Sequence, residues 1–203
     1  MFYIIKAQAG VFFVEQPEKI TLETAQNVGS IALFNARRLW WMEGLQSLKQ
    51  LAKSGTAAPS KCKVPCPIQF TTLYGVQDII EATEACKASL DLIPEWTAWP
   101  KGTPHLSDDF DDRILVRTKN ALFFAKTATV VNSVENLQWF NLHGARRVRQ
   151  WEGACSLSEL AQRGVSKPEI SILDKLSGGT VEEVIEIACV TKQAAATLDA
   201  VKE

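Results

Sequence analysis

ARRLWWMEGLQSLKQLAKSGTAAP, residues 36–59, returns as ARRVRQWEGACSLSELAQRGVSKP, residues 145–168. Eleven of these 24 positions are identical at one constant offset. Self-similarity of this kind sets the architecture before any local propensity is weighed. The repeat also runs beyond this segment. Ile4-Ile5-Lys6 followed by Val11-Phe12-Phe13 resembles Leu115-Val116-Arg117 followed by Leu122-Phe123-Phe124. VQDIIE from Val76 resembles VEEVIE from Val181, and Thr83, Ala88, Leu90 and Asp91 match Thr191, Ala196, Leu198 and Asp199. The offset drifts from 111 through 109 and 105 to 108, so insertions fall between elements, where loops absorb them.

The chain of 203 residues suits two domains of about 100 residues each. The duplication places them at 1–93 and 112–203. Residues 94–111 read as a linker, because Pro94, Pro100, Pro104 and Gly102 oppose regular structure and Asp108 to Asp112 stay solvated. Trp96 and Trp99 are expected to pin that linker to one domain. Each copy reads as strands followed by a helix, then strands and a final helix. The fold class is therefore α+β: two tandem, similar domains, each a short-stranded antiparallel sheet with two short helices. Ile20 to Glu23 and Val130 to Asn132 read as hairpin partners of the first strands.

Ser47-Leu48-Lys49-Gln50 and Ser156-Leu157-Ser158-Glu159 fit the capping box that opens a helix. Gly55 and Gly164 stand where a left-handed C-cap ends it. Thr83 and Thr191 are expected to cap a short alanine-rich helix after a strand; a single helix from Val181 to Val201 is the competing reading.

Hydrophobic residues make up 46% and charged residues 22%, with a net charge of −1. This is globular composition, and it argues against general affinity for nucleic-acid phosphate. No apolar run approaches the roughly 20 residues of a membrane span. The first ten residues lack the pattern of a signal peptide, so a cytoplasmic protein is expected. Cys62, Cys66, Cys86, Cys155 and Cys189 read as free thiols. Cys62-x-x-x-Cys66 has zinc-like spacing, but copy two has no counterpart and too few ligands are at hand for a metal site. A disulfide between them is the reading for an oxidising exterior.

The candidate ligand- or partner-binding residues are Arg37, Arg38, Trp40 and Trp41 in copy one, and Arg146, Arg147, Trp139 and Trp151 in copy two. Arginine binds phosphate or carboxylate through its planar fork, and a nearby indole can stack on a base. The structural alternative follows from strand alternation. One arginine of each pair then points to solvent, the other pairs with Glu43 or Glu152, and the tryptophans fill the core. Catalytic motifs are absent, and His105 and His143 are the only histidines, the side chain most suited to act as a base at neutral pH. No enzyme activity, cofactor or metal is expected.

The Ala-Arg-Arg…Trp…Gly…Leu-x-x-Leu-Ala…Gly pattern resembles a family of small, mostly uncharacterised proteins from tailed bacteriophages and prophages. Those proteins are similar to one copy. They share a Gly-Val-Phe-Phe-like first strand, here Gly10 to Phe13, and a Leu-Ala helix ending in glycine. Copy two fits better, with Ala145-Arg146-Arg147, Trp151, Gly153, Leu157, Leu160-Ala161 and Gly164; copy one has Met42 where Trp151 stands. The resemblance implies a viral or prophage source and transfers no catalytic residue. The duplication itself points to a non-enzymatic binding or assembly protein of phage type, in the host cytoplasm or the virion, because a fused pair reproduces the contact of a homodimer; a protein partner, self or otherwise, is expected. The repeated arginine pairs with nearby tryptophans carry the alternative, sequestration of a nucleotide signal.

Overall fold

The computed structural model describes residues 1–98, 109–132, 138–176 and 178–201. Trp99, His105, Asp108 and most of the expected linker lie outside the described residues. The chain divides into two compact units, Met1–Trp96 and Thr97–Glu203.

The first unit starts with the hairpin of β1 (Phe2–Ala7) and β2 (Gly10–Glu15). Then come α1 (Leu22–Val28), β3 (Ser30–Leu39), α2 (Leu48–Ser54), β4 (Ile68–Tyr74), β5 (Val76–Glu81) and α3 (Glu84–Asp91). Every strand pair is antiparallel, in the order β4-β3-β2-β1-β5. Gly75, with φ +60°, is the single residue between β4 and β5. The two ends of the order are thus halves of one bent strand, and the sheet closes on itself. β3 turns the opposite corner at Asn35, a non-glycine residue in the left-handed region with φ 52°. Asparagine tolerates that region better than most side chains.

Alternation along the strands sorts the apolar residues onto two faces. Phe2, Ile4 and Phe13 pack with Leu51 and Ala52 of α2 and with Cys86 and Leu90 of α3. Tyr3, Ile5, Phe12, Leu33 and Leu73 are buried on the other face. Full burial of each large side chain stabilises by about 1.5–3 kcal/mol.

The second unit repeats the plan. It contains β6 (Phe110–Thr118), β7 (Leu122–Lys126), β8 (Val130–Asn132), β9 (Trp139–Leu142), β10 (Arg146–Gln150), α4 (Leu157–Arg163), β11 (Ile172–Lys175), β12 (Thr180–Thr191) and α5 (Lys192–Asp199). Its order is β11-β10-β7-β6-β12, and β9 pairs with the start of β12. β9 and β10 together match β3, with Gly144 (φ +63°) at the position of Asn35. β12 matches β4 and β5 run together, so this sheet closes as well. No helix among the described residues is long and apolar enough to cross a membrane.

Cross-strand register corrects one sequence match. Ile79 faces Ile5, and Ile187 faces Val116. Because Ile5 and Val116 are equivalent, Ile79 matches Ile187 at an offset of 108, not 105. Both copies then skip one residue on the last strand, Gln77 or Ile185, as the same bulge.

Three further expectations are revised. Ile20 to Glu23 does not form a strand: Thr21 Oγ1 accepts the Thr24 N–H at 3.2 Å and opens α1, so copy one has three helices. Val130 to Asn132 does form a strand, β8, but it pairs with β9 and not with the first strands. The capping boxes are half formed. Ser47 and Ser156 accept from Gln50 N and Glu159 N at 3.1 and 3.2 Å. The return arms go elsewhere, Gln50 to Ser54 and Gly55, and Glu159 to the Cys155 N–H. Gly55 and Gly164 have positive φ but extended ψ (−153° and −146°), not the left-handed helical values. A Cβ on Gly55 would lie 2.3 Å from Ser89 Cβ, and one on Gly164 would lie 1.7 Å from Thr197 Oγ1. These glycines serve the close crossing of the two helices in each copy.

Thr83 and Thr191 do cap the final helices. Each also donates to a carbonyl at the end of the preceding helix, Lys53 at 2.7 Å and Gln162 at 2.6 Å. Residues 181–191 are strand, so the long-helix reading fails.

Candidate functional site

Strand alternation parts the first arginine pair. Arg37 lies on the helix-facing side of β3, its guanidinium 5.4 Å from the centre of the Phe13 ring. Arg38 turns to the other side, 4.9 Å from the Trp40 ring. Trp40 packs on Trp96 at 5.8 Å, and Lys63 covers Trp96 at 5.1 Å. Trp96 N also donates to Val64 O at 2.9 Å, which pins this tryptophan to the first unit. Trp40 and Trp41 are 49% and 57% exposed, so they do not fill the core.

In copy two, Arg146 Nη1 and Nη2 donate to Leu198 O at 3.1 Å and Val201 O at 2.5 Å. It satisfies carbonyls at the end of α5, where positive charge is also favoured by the helix dipole. The Arg147 side chain has no hydrogen bond or ion pair among the described residues. Trp139 is partly exposed, and Trp151 donates to Ala154 O at 3.0 Å. Arg37 and Arg146 do not pair with Glu43 or Glu152: strand direction carries both guanidiniums toward the last helix instead. The eight candidates therefore do not converge on one site in either copy.

A different constellation does recur. A groove of about 760 Å³ in the first unit is lined by Phe2, Phe13, Arg37, Asp91 and their neighbours. A smaller one of about 150 Å³ occurs in the second. Phe13, Val14, Glu15, Asn35, Arg37 and Asp91 of the first match Phe124, Ala125, Lys126, Gly144, Arg146 and Asp199 of the second. The seventh residue differs in kind, since Phe2 matches Arg113.

That exchange closes the second groove. Arg113 sits 6.0 Å from the Phe124 ring and bonds Asp111 at 2.6 Å and Asp199 at 2.5 Å. Burial pushes the Asp111 carboxyl up, but the hydrogen bonds from Arg113 and with Asp112 outweigh it and hold the group below its ordinary value. In the first copy Phe2 instead meets Phe13 at 6.0 Å, and Asp91 bonds Lys87 at 3.0 Å. Arg37 keeps one side-chain hydrogen bond, from Nε to Pro65 O at 3.3 Å. Its two terminal nitrogens have no hydrogen-bond partner among the described residues. Burial lowers the Arg37 pKa, opposed by the charges of Glu95 and Asp91.

The five cysteines are free thiols. Burial and the hydrogen bond with Glu159 push Cys155 up to about 12, and burial pushes Cys86 up to about 11. Neither is set up as a nucleophile, which would need a depressed pKa. No group of three metal-ligating side chains occurs among the described residues.

Sequence reasoning missed Phe2, Phe13, Lys87 and Asp91 as groove residues. The identities of Phe13 with Phe124 and of Asp91 with Asp199 were the available signal, but they read equally well as core and helix end.

Curated proteins and solved structures give no significant match. One family model matches twice, at residues 3–90 and 111–198. These spans take in the groove residues from Phe13 to Lys87 and from Arg113 to Arg146, while Phe2, Asp91 and Asp199 fall one residue outside them. The chain belongs to the family described as a domain of unknown function (DUF6948), and it carries that domain in tandem.

Proposed function

We propose that this chain is a non-enzymatic binding or assembly protein of bacteriophage type, in which two fused copies do the work of a homodimer of single-copy relatives. The observation that carries this reading is what the copies hold in common. The shared features are helix caps, the glycine crossing, the Thr83 and Thr191 ties, an arginine directed at the last helix, and Asp91 or Asp199 on that helix, each held in an ion pair. All of these build a scaffold, and with the aspartates engaged by Lys87 and Arg113 none stands as a free acid, base or nucleophile. Partners are virion components or host proteins met in the host cytoplasm. Fusion of two copies preserves an isologous contact while freeing each copy to diverge. Light scattering on each half expressed alone tests the idea. Dimers of a half support it, and halves that stay monomeric at high concentration remove the fused-dimer argument.

A second reading is sequestration of a small nucleotide signal. It draws on Arg38 stacked beside the exposed Trp40. A nucleotide panel should then raise the melting temperature of the protein and lose that effect in Trp40→Ala. No shift with any nucleotide removes this reading.

A further inference from the structure

We infer that the groove of the first copy is a binding site for a carboxylate joined to an apolar or aromatic body. This does not depend on the assembly role.

The charge arrangement selects the head group. Lys87 is engaged by Asp91 at 3.0 Å and Glu15 at 3.7 Å. Arg37 is the cation left with donors to offer: Nη1 and Nη2 lack hydrogen-bond partners among the described residues. Phe13 beneath the guanidinium and Pro65 O on Nε hold its plane. A planar fork held this way matches a carboxylate through two parallel hydrogen bonds. Glu15, Glu18 and Asp91 line the same groove, so a phosphate dianion meets three carboxylates against two cations. A single negative charge fits better.

A second, separate observation points to a ligand. Gln16 lines the groove, is 8% exposed, and its Nε2 is shielded from solvent without a partner. Buried amide donors are nearly always satisfied, and this one reaches an acceptor in the groove by rotation of the Gln16 side chain. The apolar body has its wall in Phe2 and Phe13, with Phe34 56% exposed at the margin. A volume of about 760 Å³ is within the range of small-molecule sites.

The second copy is the internal control. It keeps the arginine, phenylalanine and aspartate, yet Arg146 is spent on the α5 carbonyls and Arg113 occupies the space. One site per chain is therefore expected.

The test uses the full chain and 3-phenylpropionate in calorimetric titration. Saturable binding at one site is expected, weakened at least about tenfold for 3-phenylpropanamide and for Arg37→Lys, and unchanged in Arg147→Gln. In the wild type, the Gln16 side-chain amide and Arg37 Nε–H resonances should shift on titration, a readout that needs no variant to fold. Gly-Gly-Phe against its C-terminal amide separates the two sources of such a head group. Tighter binding of the free tripeptide than of phenylpropionate assigns a peptide end, and weaker binding assigns a free acid. No binding at about 10 mM, equal binding of acid and amide, tighter binding of AMP, or shifts confined to Trp40 and Trp41 would overturn the inference.

Discussion

Replacing Gly55 by alanine should be among the most damaging single-methyl additions in the first copy. Two costs combine. The backbone there has φ 68° and ψ −153°, a region essentially reserved for glycine, and holding another residue in such a region costs about 1–3 kcal/mol. The added Cβ would also lie 2.3 Å from Ser89 Cβ, 2.4 Å from Ser89 Oγ and 3.3 Å from Cys86 O. Relieving that contact means parting α2 from α3, an overpacking cost of about 1–3 kcal/mol. The same movement strains the hydrogen bond from Thr56 N to Ser89 Oγ at 2.9 Å. The sum is about 4 kcal/mol, a large share of the roughly 5–15 kcal/mol that holds a typical domain together. Urea unfolding followed by tryptophan fluorescence would measure it, with Trp40, Trp41 and Trp96 reporting the first unit. Gly44→Ala is the control, since Gly44 has φ +70° but no atom within 4 Å of the would-be Cβ. It should cost about 1 kcal/mol from conformation alone. If the two variants lose the same stability, close helix crossing is not why glycine stands at residue 55.

Other outcomes follow from the same contacts. Ser47→Ala and Ser156→Ala should each lose about 1 kcal/mol in urea unfolding, because only the serine arm of each cap is formed. Asp111 is depressed in the folded state, so its contribution is present above the ordinary carboxylate pKa of about 4 and is lost as pH falls through the folded value. Asp111→Asn should therefore be less stable at pH 7 and show a flatter acid limb in a pH series of melting curves. Cys86 and Cys155, raised to about 11 and about 12, should resist iodoacetamide at pH 8 in the native protein and react fully once unfolded, as peptide mass mapping would show. Phe2→Arg combined with Lys87→Ala should be more stable than the two single changes predict, by about 0.5–3 kcal/mol in a double-mutant cycle; strict additivity would contradict the matching of these positions.

Local chemistry was the legible part. Ser47, Ser156, Thr83 and Thr191 announce helix starts through short-range hydrogen bonds, and each does cap a helix. The duplication likewise gave the α+β plan. Register was harder: VQDIIE and VEEVIE look alike at an offset of 105, yet pairing with β1 and β6 demands 108. A period of two makes slipped apolar runs resemble each other. Thr21 through Gly29 carried a cap, a helix and a left-handed stop, but the apolar Ile20 and Leu22 drew the reading toward strand. The fate of the arginines was out of reach. Arg146 donates to Leu198 O, 52 residues away, and nothing local to Ala145-Arg146-Arg147 encodes that partner.

The exchange between the copies involves two positions that answer each other. Phe2 and Lys87 of the first copy match Arg113 and Ala195 of the second. Asp91 and Asp199 are common to both, and each, though 57% and 42% exposed, is paired with a cation. In the first copy the cation comes from α3, as Lys87 at 3.0 Å; in the second it comes from the first strand, as Arg113 at 2.5 Å. Supplying it from the helix leaves the strand position free for an aromatic ring, and the groove stays open. Supplying it from the strand puts a guanidinium across the groove, and the helix position holds the buried Ala195. Either solution gives the aspartate one cation. What separates the solutions is the space left beside Arg37 or its counterpart, about 760 Å³ in the first copy against about 150 Å³ in the second.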